Sequence, residues 1–208
     1  MTRRGMLALT LTLLAGSLSS GPVAAQAAAP QGPAGPVAAL NDGLLAVMHA
    51  GRGVAFAQRV QMFRPVAERS FDLTLILQNS VGPRWTSLSA EMRGELLEVF
   101  TQFTVASWVG NFDAYDGERF QILPERRQVG GDEVVQTRLI PKTGDVTRLD
   151  YVMRRAGDGW RVVDILLDGS ISRVAVQRSD FRALLQGGDA APLVASLRQK
   201  VAAMVAAG

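Results

Sequence analysis

The feature that most constrains the fold of this 208-residue chain is a change of hydrophobic period at Gly117. Before it, apolar residues recur at three- and four-residue steps. From Arg119 to Leu167 they alternate, in runs separated by Gly130-Gly131, by Lys142 to Asp145 and by Gly157-Asp158-Gly159. Period 3.6 followed by period 2 predicts helices leading into an antiparallel meander, an α+β fold. Four strands are predicted near residues 119–127, 133–140, 146–155 and 160–167. Val135, Thr137 and Leu139 share one face of their strand, as do Leu149, Tyr151 and Met153 on the next, opposite Arg148, Asp150, Val152 and Arg154. One sheet face is therefore apolar and must be covered by helices. The last strand carries Val163, Ile165 and Leu167 on one side and Val162, Asp164 and Leu166 on the other, which predicts cover on both faces.

Val37, Leu40, Leu44, Val47 and Met48 mark an amphipathic helix that stops at Gly51 and Gly53. A second, short helix carries Phe56, Val60 and Phe63, and Pro65 suits the first turn of another. Asp72 is placed to cap a helix whose Leu73, Leu75, Ile76 and Leu77 point in too many directions for a one-faced surface helix. Ser89, with Glu91 one turn in, reads as an N-cap for Met92, Leu96, Val99, Phe100 and Phe103, a single apolar stripe running to Trp108 or beyond. Two helices are predicted after the sheet, around Val174 to Gln186 and from Pro192 onwards.

The N-terminus reads as an export signal. Arg3 and Arg4 precede an apolar run from Met6 to Ala15, and Val23, Ala24 and Ala25 suit cleavage after Ala25. That run is about ten residues, against the roughly 20 needed to span a bilayer. Residues 26–36, QAAAPQGPAGP, contain no large apolar side chain and are expected to form a flexible leader. A single domain is expected over 37–208. Without Arg3 and Arg4, 20 basic residues face 19 acidic ones, a net charge of only +1. The pI of about 9.9 reflects arginine content and carries no message about nucleic acid. With no cysteine and one histidine, disulfides, thiol catalysis, lipid-anchored lipoproteins and multi-His metal sites are excluded.

No assembled catalytic motif is visible and no metal site or cofactor is expected. His49 lies near the end of the first helix, where a positive imidazole suits the dipole. Gly51-Arg52-Gly53 follows a helix and reads as an inter-helix turn, not a phosphate loop. Asp113 and Asp116 form either a carboxylate pair or a solvated loop. Asp164, inside an apolar strand, has two readings. One is a structural hydrogen bond or arginine salt bridge; the other is the acid/base group of a small enzyme of cone-like α+β fold, with Tyr151 as oxyanion donor.

Three stretches carry a resemblance. They are Phe71-Asp72-Leu73 leading to Gly82-Pro83-Arg84-Trp85; Asn111-Phe112-Asp113-Ala114-Tyr115-Asp116-Gly117-Glu118-Arg119-Phe120; and Gly159-Trp160-Arg161-Val162-Val163-Asp164 running through Gly169-Ser170-Ile171-Ser172 to Arg178-Ser179-Asp180-Phe181. In order and spacing, across about residues 40 to 205, the chain resembles the periplasmic phospholipid-binding proteins of the lipid-asymmetry (Mla) and toluene-tolerance systems. The Gly-Ser-Ile-Ser turn and the Tyr-Asp-Gly-Glu-Arg-Phe run are most similar to the branch associated with hopanoid biosynthesis. Trp108-Val109 departs from the family's usual Tyr-Ala.

The resemblance implies a soluble periplasmic carrier in which helices and a curved four-stranded sheet enclose an apolar cavity for acyl chains of phospholipid, or of a hopanoid. It implies as partners an inner-membrane ABC lipid transporter complex and an outer-membrane lipoprotein complex. It also turns side chains that otherwise read as ordinary core into candidate lining. On the helices before the sheet these are Leu73, Leu77, Phe100, Phe103, Trp108 and Phe112, with Tyr115 in the loop beyond them. On the strands they are Ile122, Leu139, Tyr151, Val163 and Ile165, and on the following helices Val174, Phe181 and Leu185. Two chains would need a volume on the order of 1,000 Å³. Arg126-Arg127 and Arg154-Arg155, near strand ends, read as solvated edges or, in a carrier, as docking contacts. A ligand-free adaptor is the remaining alternative.

Overall fold

The computed structural model describes residues 32–157 and 159–208; the segment read as an export signal, and the leader up to Gln31, lie outside them. Among the described residues four α-helices precede the sheet: α1 (Ala34–Ala50), α2 (Phe56–Ser70), α3 (Leu73–Val81) and α4 (Ala90–Asn111). Strands β1 (Arg119–Val129), β2 (Asp132–Ile140), β3 (Thr147–Ala156), β4 (Gly159–Leu167) and β5 (Ile171–Ser172) follow, and then α5 (Arg173–Arg182) and α6 (Ala191–Ala207). The strands are neighbours in chain order and all antiparallel. The sheet thus has five strands and not four. The fifth is two residues long, too short to announce itself by alternation, and leads directly into α5.

The helix starts follow from side-chain caps. Asp72 accepts from the N–H of Leu75 (2.9 Å), Ser89 from that of Met92 (3.1 Å) and Ser172 from that of Ala175 (3.0 Å). α1 begins at Ala34, so the last residues read as leader are helical. Gly43 lets α1 lie close on α2: a Cβ there would stand 3.2 Å from Val66 and 3.3 Å from Phe63. Pro65 does not open a helix; it lies inside α2. Pro65 and Gln61 are both exposed, so water can satisfy the Gln61 carbonyl that the missing N–H would have bonded.

The main core lies between the helices and the sheet face bearing Val135, Leu149, Tyr151 and Met153. A smaller cluster, Val134, Val152 and Val163, occupies the other face and is covered by Leu75 of α3. This explains the many-sided apolarity of α3: Leu73, Ile76 and Leu77 enter the main core while Leu75 packs on the second. The alternation along β4 needs one correction. Val162, Ile165 and Leu167 face the main core, and Val163 faces the smaller cluster. A register shift against β3, between Val152 and Met153, inserts the extra residue that reverses the order. Pro124 falls in a similar irregularity of edge strand β1, between Ile122 and Arg126, where no ladder N–H is needed.

Candidate functional site

The α4 stripe, the inner sheet face and α5 converge on a cavity of about 330 Å³. Phe100, Phe103, Trp108 and Phe112 wall it from α4 and its C-cap, with Ile76 from α3, Leu139, Leu149, Ile165 and Leu167 from the strands, and Val174 from α5. Its volume is at the low end of ordinary ligand sites and about a third of that expected for two chains. The aromatic wall itself accounts for this. Trp108 stacks on Phe112 with centroids 5.6 Å apart and planes 14° from parallel, and Phe112 meets Phe120 at 5.8 Å. Side chains that close on one another recover the dispersion contacts an empty apolar cavity forfeits. Trp108, where the chain departs from the Tyr-Ala pattern, is therefore a wall residue.

The other candidate residues are placed as follows. Leu73, Leu77, Phe181 and Leu185 are buried in the main core behind the wall, Phe181 meeting Phe100 edge-on at 6.4 Å. Ile122 packs against that core from β1, and Val163 lies on the far face of the sheet. Tyr115 is exposed and meets the His49 ring with centroids 3.9 Å apart and planes tilted by 38°. Tyr151 is fully buried outside the wall; its hydroxyl has no hydrogen-bond partner, and burial pushes its pKa upward, so it remains a neutral phenol.

Asp164 does reach the cavity wall, but its carboxylate is engaged by the fold. It accepts from the N–H of Ile165 (2.7 Å) and of Val174 (3.1 Å), and from the Ser172 hydroxyl (2.5 Å). It thereby joins β4 to β5 and to the first turn of α5, which is the structural reading of this residue. Replacing it with asparagine removes the charge that strengthens three bonds and forces the Ser172 hydroxyl to turn from donor to acceptor, and is expected to cost about 1–3 kcal/mol while leaving the cavity able to take ligand. Urea denaturation beside a lipid-loading assay checks this; normal stability with loss of a hydrolase or isomerase activity would restore the enzymatic reading.

Asp113 and Asp116 do not form a pair. Asp113 holds Arg52 at 2.6 Å and Asp116 faces Lys142 at 3.4 Å. Arg126 meets Glu133 (3.4 Å), and Arg127 bonds buried Asp150 (3.4 Å) and the Gly169 carbonyl (3.1 Å). Arg154 pairs with Asp132 through two bonds of 2.6 and 2.7 Å, and Arg155 lies over the Trp160 ring. Among the described residues no group of three or more His, Cys, Asp or Glu side chains could hold a metal ion, and no helix is long and apolar enough to cross a membrane. Besides Asp164, the wall has the polar members Thr104, Ser107, Asn111, Thr147, Arg173 and Gln177, none of which apolar periodicity points to.

In a search of the solved structures, the fold is similar to that of a phospholipid-binding protein from Ralstonia solanacearum determined in complex with a phospholipid. The TM-score is 0.71 at 20% identity, over 84% of this chain and 99% of that one. No curated protein matches the sequence. The family model described as MlaC protein matches residues 39–199, which take in every wall element, and the chain belongs to the MlaC family.

Proposed function

We propose that the protein is a periplasmic lipid carrier, a single lipid-binding domain over 37–208 that holds the acyl chains of a glycerophospholipid in the cavity between α4, α5 and the sheet. The observation that carries this reading is the apolar cavity itself, in a chain of the MlaC family whose structural relative was determined with a phospholipid. Each methylene exposed to water costs about 0.8 kcal/mol, so a two-chain lipid does not cross an aqueous compartment unaided. A wall of aromatic and aliphatic side chains removes that cost without chemistry. Lipid extraction and mass spectrometry of the purified protein test the reading. Co-purified lipid near one per protein is expected, with its mass telling glycerophospholipid from hopanoid; a ligand-free protein with a closed interior would favour an adaptor.

In this reading the carrier exchanges cargo with an inner-membrane ABC lipid transporter complex and an outer-membrane lipoprotein complex, after removal of an export signal near Ala25. Transient docking suits charged, salt-sensitive contacts. Of the paired arginines, Arg126 is the clean probe, since Arg127 is tied to buried Asp150 and its reversal would disturb the fold. Arg126→Glu is expected to slow lipid transfer to acceptor complexes at low salt while bound lipid stays in place. Transfer rates unchanged across a salt series would return Arg126 to the solvated edge.

A further inference from the structure

Among the described residues the cavity wall carries two charged side chains, Asp164 and Arg173. The Asp164 carboxylate is occupied by the Ile165 and Val174 N–H groups and the Ser172 hydroxyl. Two first-turn amides of α5 are also taken, Val174 by Asp164 and Ala175 by Ser172. Arg173 is different. It is exposed, and among the described residues no carboxylate forms an ion pair with it. Asn111 and Thr147 are the other exposed wall residues, and neither carries charge. Lys200 lies off the wall, its ammonium 5.7 Å from the Phe103 ring centroid. Inside the wall, the Thr104 hydroxyl is buried with no hydrogen-bond partner. The site therefore offers an apolar space, one unpaired hydroxyl within it and one uncommitted guanidinium where the wall meets water.

We propose that Arg173 receives the phosphate of the lipid whose chains fill the cavity, which makes the site selective for phosphate-bearing lipids over neutral lipids with the same chains. This rests on the carrier reading above. A guanidinium binds phosphate oxygens in a fork of two N–H donors, and low-dielectric walls strengthen the contact relative to open water. The Thr104 hydroxyl suits an ester oxygen of the same molecule, which would supply the partner the protein does not. A free phosphate uses only the guanidinium, whereas a phospholipid uses guanidinium, hydroxyl and apolar wall together.

The test is competitive loading, read by native mass spectrometry. Delipidated protein is offered equal amounts of dioleoylphosphatidylglycerol and dioleoylglycerol in mixed vesicles at low salt. Wild type is expected to favour the phospholipid, and Arg173→Gln to lose about three- to tenfold of that preference while still loading lipid. Arg173→Lys should keep part of the preference, and it serves as the second variant should Arg173→Gln misfold. Millimolar inorganic phosphate should neither displace bound lipid nor raise Tm. An undiminished preference in Arg173→Gln, or none in wild type, overturns the proposal and leaves the carrier reading standing. A rise in Tm with inorganic phosphate that Arg173→Gln abolishes assigns the residue to free phosphate and overturns it too. Wild type that loads neither lipid overturns the carrier reading itself.

Discussion

Phe100→Ala is expected to lower the stability of the lipid-free protein by about 3–5 kcal/mol, one of the largest effects open to a single substitution in this fold. Phe100 is fully buried, walls the cavity and meets Phe181 at 6.4 Å with the rings at 89°. Truncation removes the transfer energy of the ring and enlarges a space that is already about 330 Å³, so relaxation has little material with which to refill it. In a domain of this size the loss corresponds to a Tm drop on the order of 10 °C. Excess lipid should restore part of it, because a ligand that binds only the folded state stabilises by mass action. Guanidinium denaturation with and without lipid reads both quantities. A loss below about 1 kcal/mol would show that Phe100 does not carry the contact between wall and core. A double-mutant cycle with Phe181→Ala should return a coupling of about 0.5–1.5 kcal/mol for the edge-on pair.

Much of the architecture was legible because it rests on local rules. The switch of period at Gly117 placed four strands to within a few residues of their observed ends, and Asp72 and Ser89 cap the helices they were expected to cap. The failures lie where tertiary context outweighs a local rule. Pro65 is tolerated inside α2 because its missing hydrogen bond faces water. Val163 changes face because a register shift against β3 inserts a residue, and strict alternation contains no sign of a bulge. The cavity was the least legible feature. Phe100 and Phe181 have the same composition signal and touch each other, yet one walls the cavity and the other packs behind it. Thr104 and Arg173 carry no apolar signal at all, although Arg173 directly follows the Gly-Ser-Ile-Ser turn that pointed to the family.

Thr104→Trp is expected to abolish lipid loading by at least tenfold while keeping the fold. Thr104 sits on α4 among Phe100, Phe103, Ser107 and Trp108, all wall residues, and its buried hydroxyl makes no hydrogen bond that the substitution would break. An indole directed into the cavity occupies a large part of its 330 Å³ and recovers contacts that the empty cavity lacks. Overpacking typically costs about 1–3 kcal/mol in a filled core, but here the added volume enters existing space, so Tm should stay near the wild-type value or rise. The two readouts point in opposite directions for the two competing interiors. If the cavity is the chain-binding site, loading falls and stability holds. If the interior closes in the native protein, Thr104→Trp strains it and Tm falls, with nothing to lose in lipid content. Native mass spectrometry and a thermal melt on the same preparation separate these outcomes, and retained loading at wild-type Tm would place the acyl chains elsewhere on the molecule.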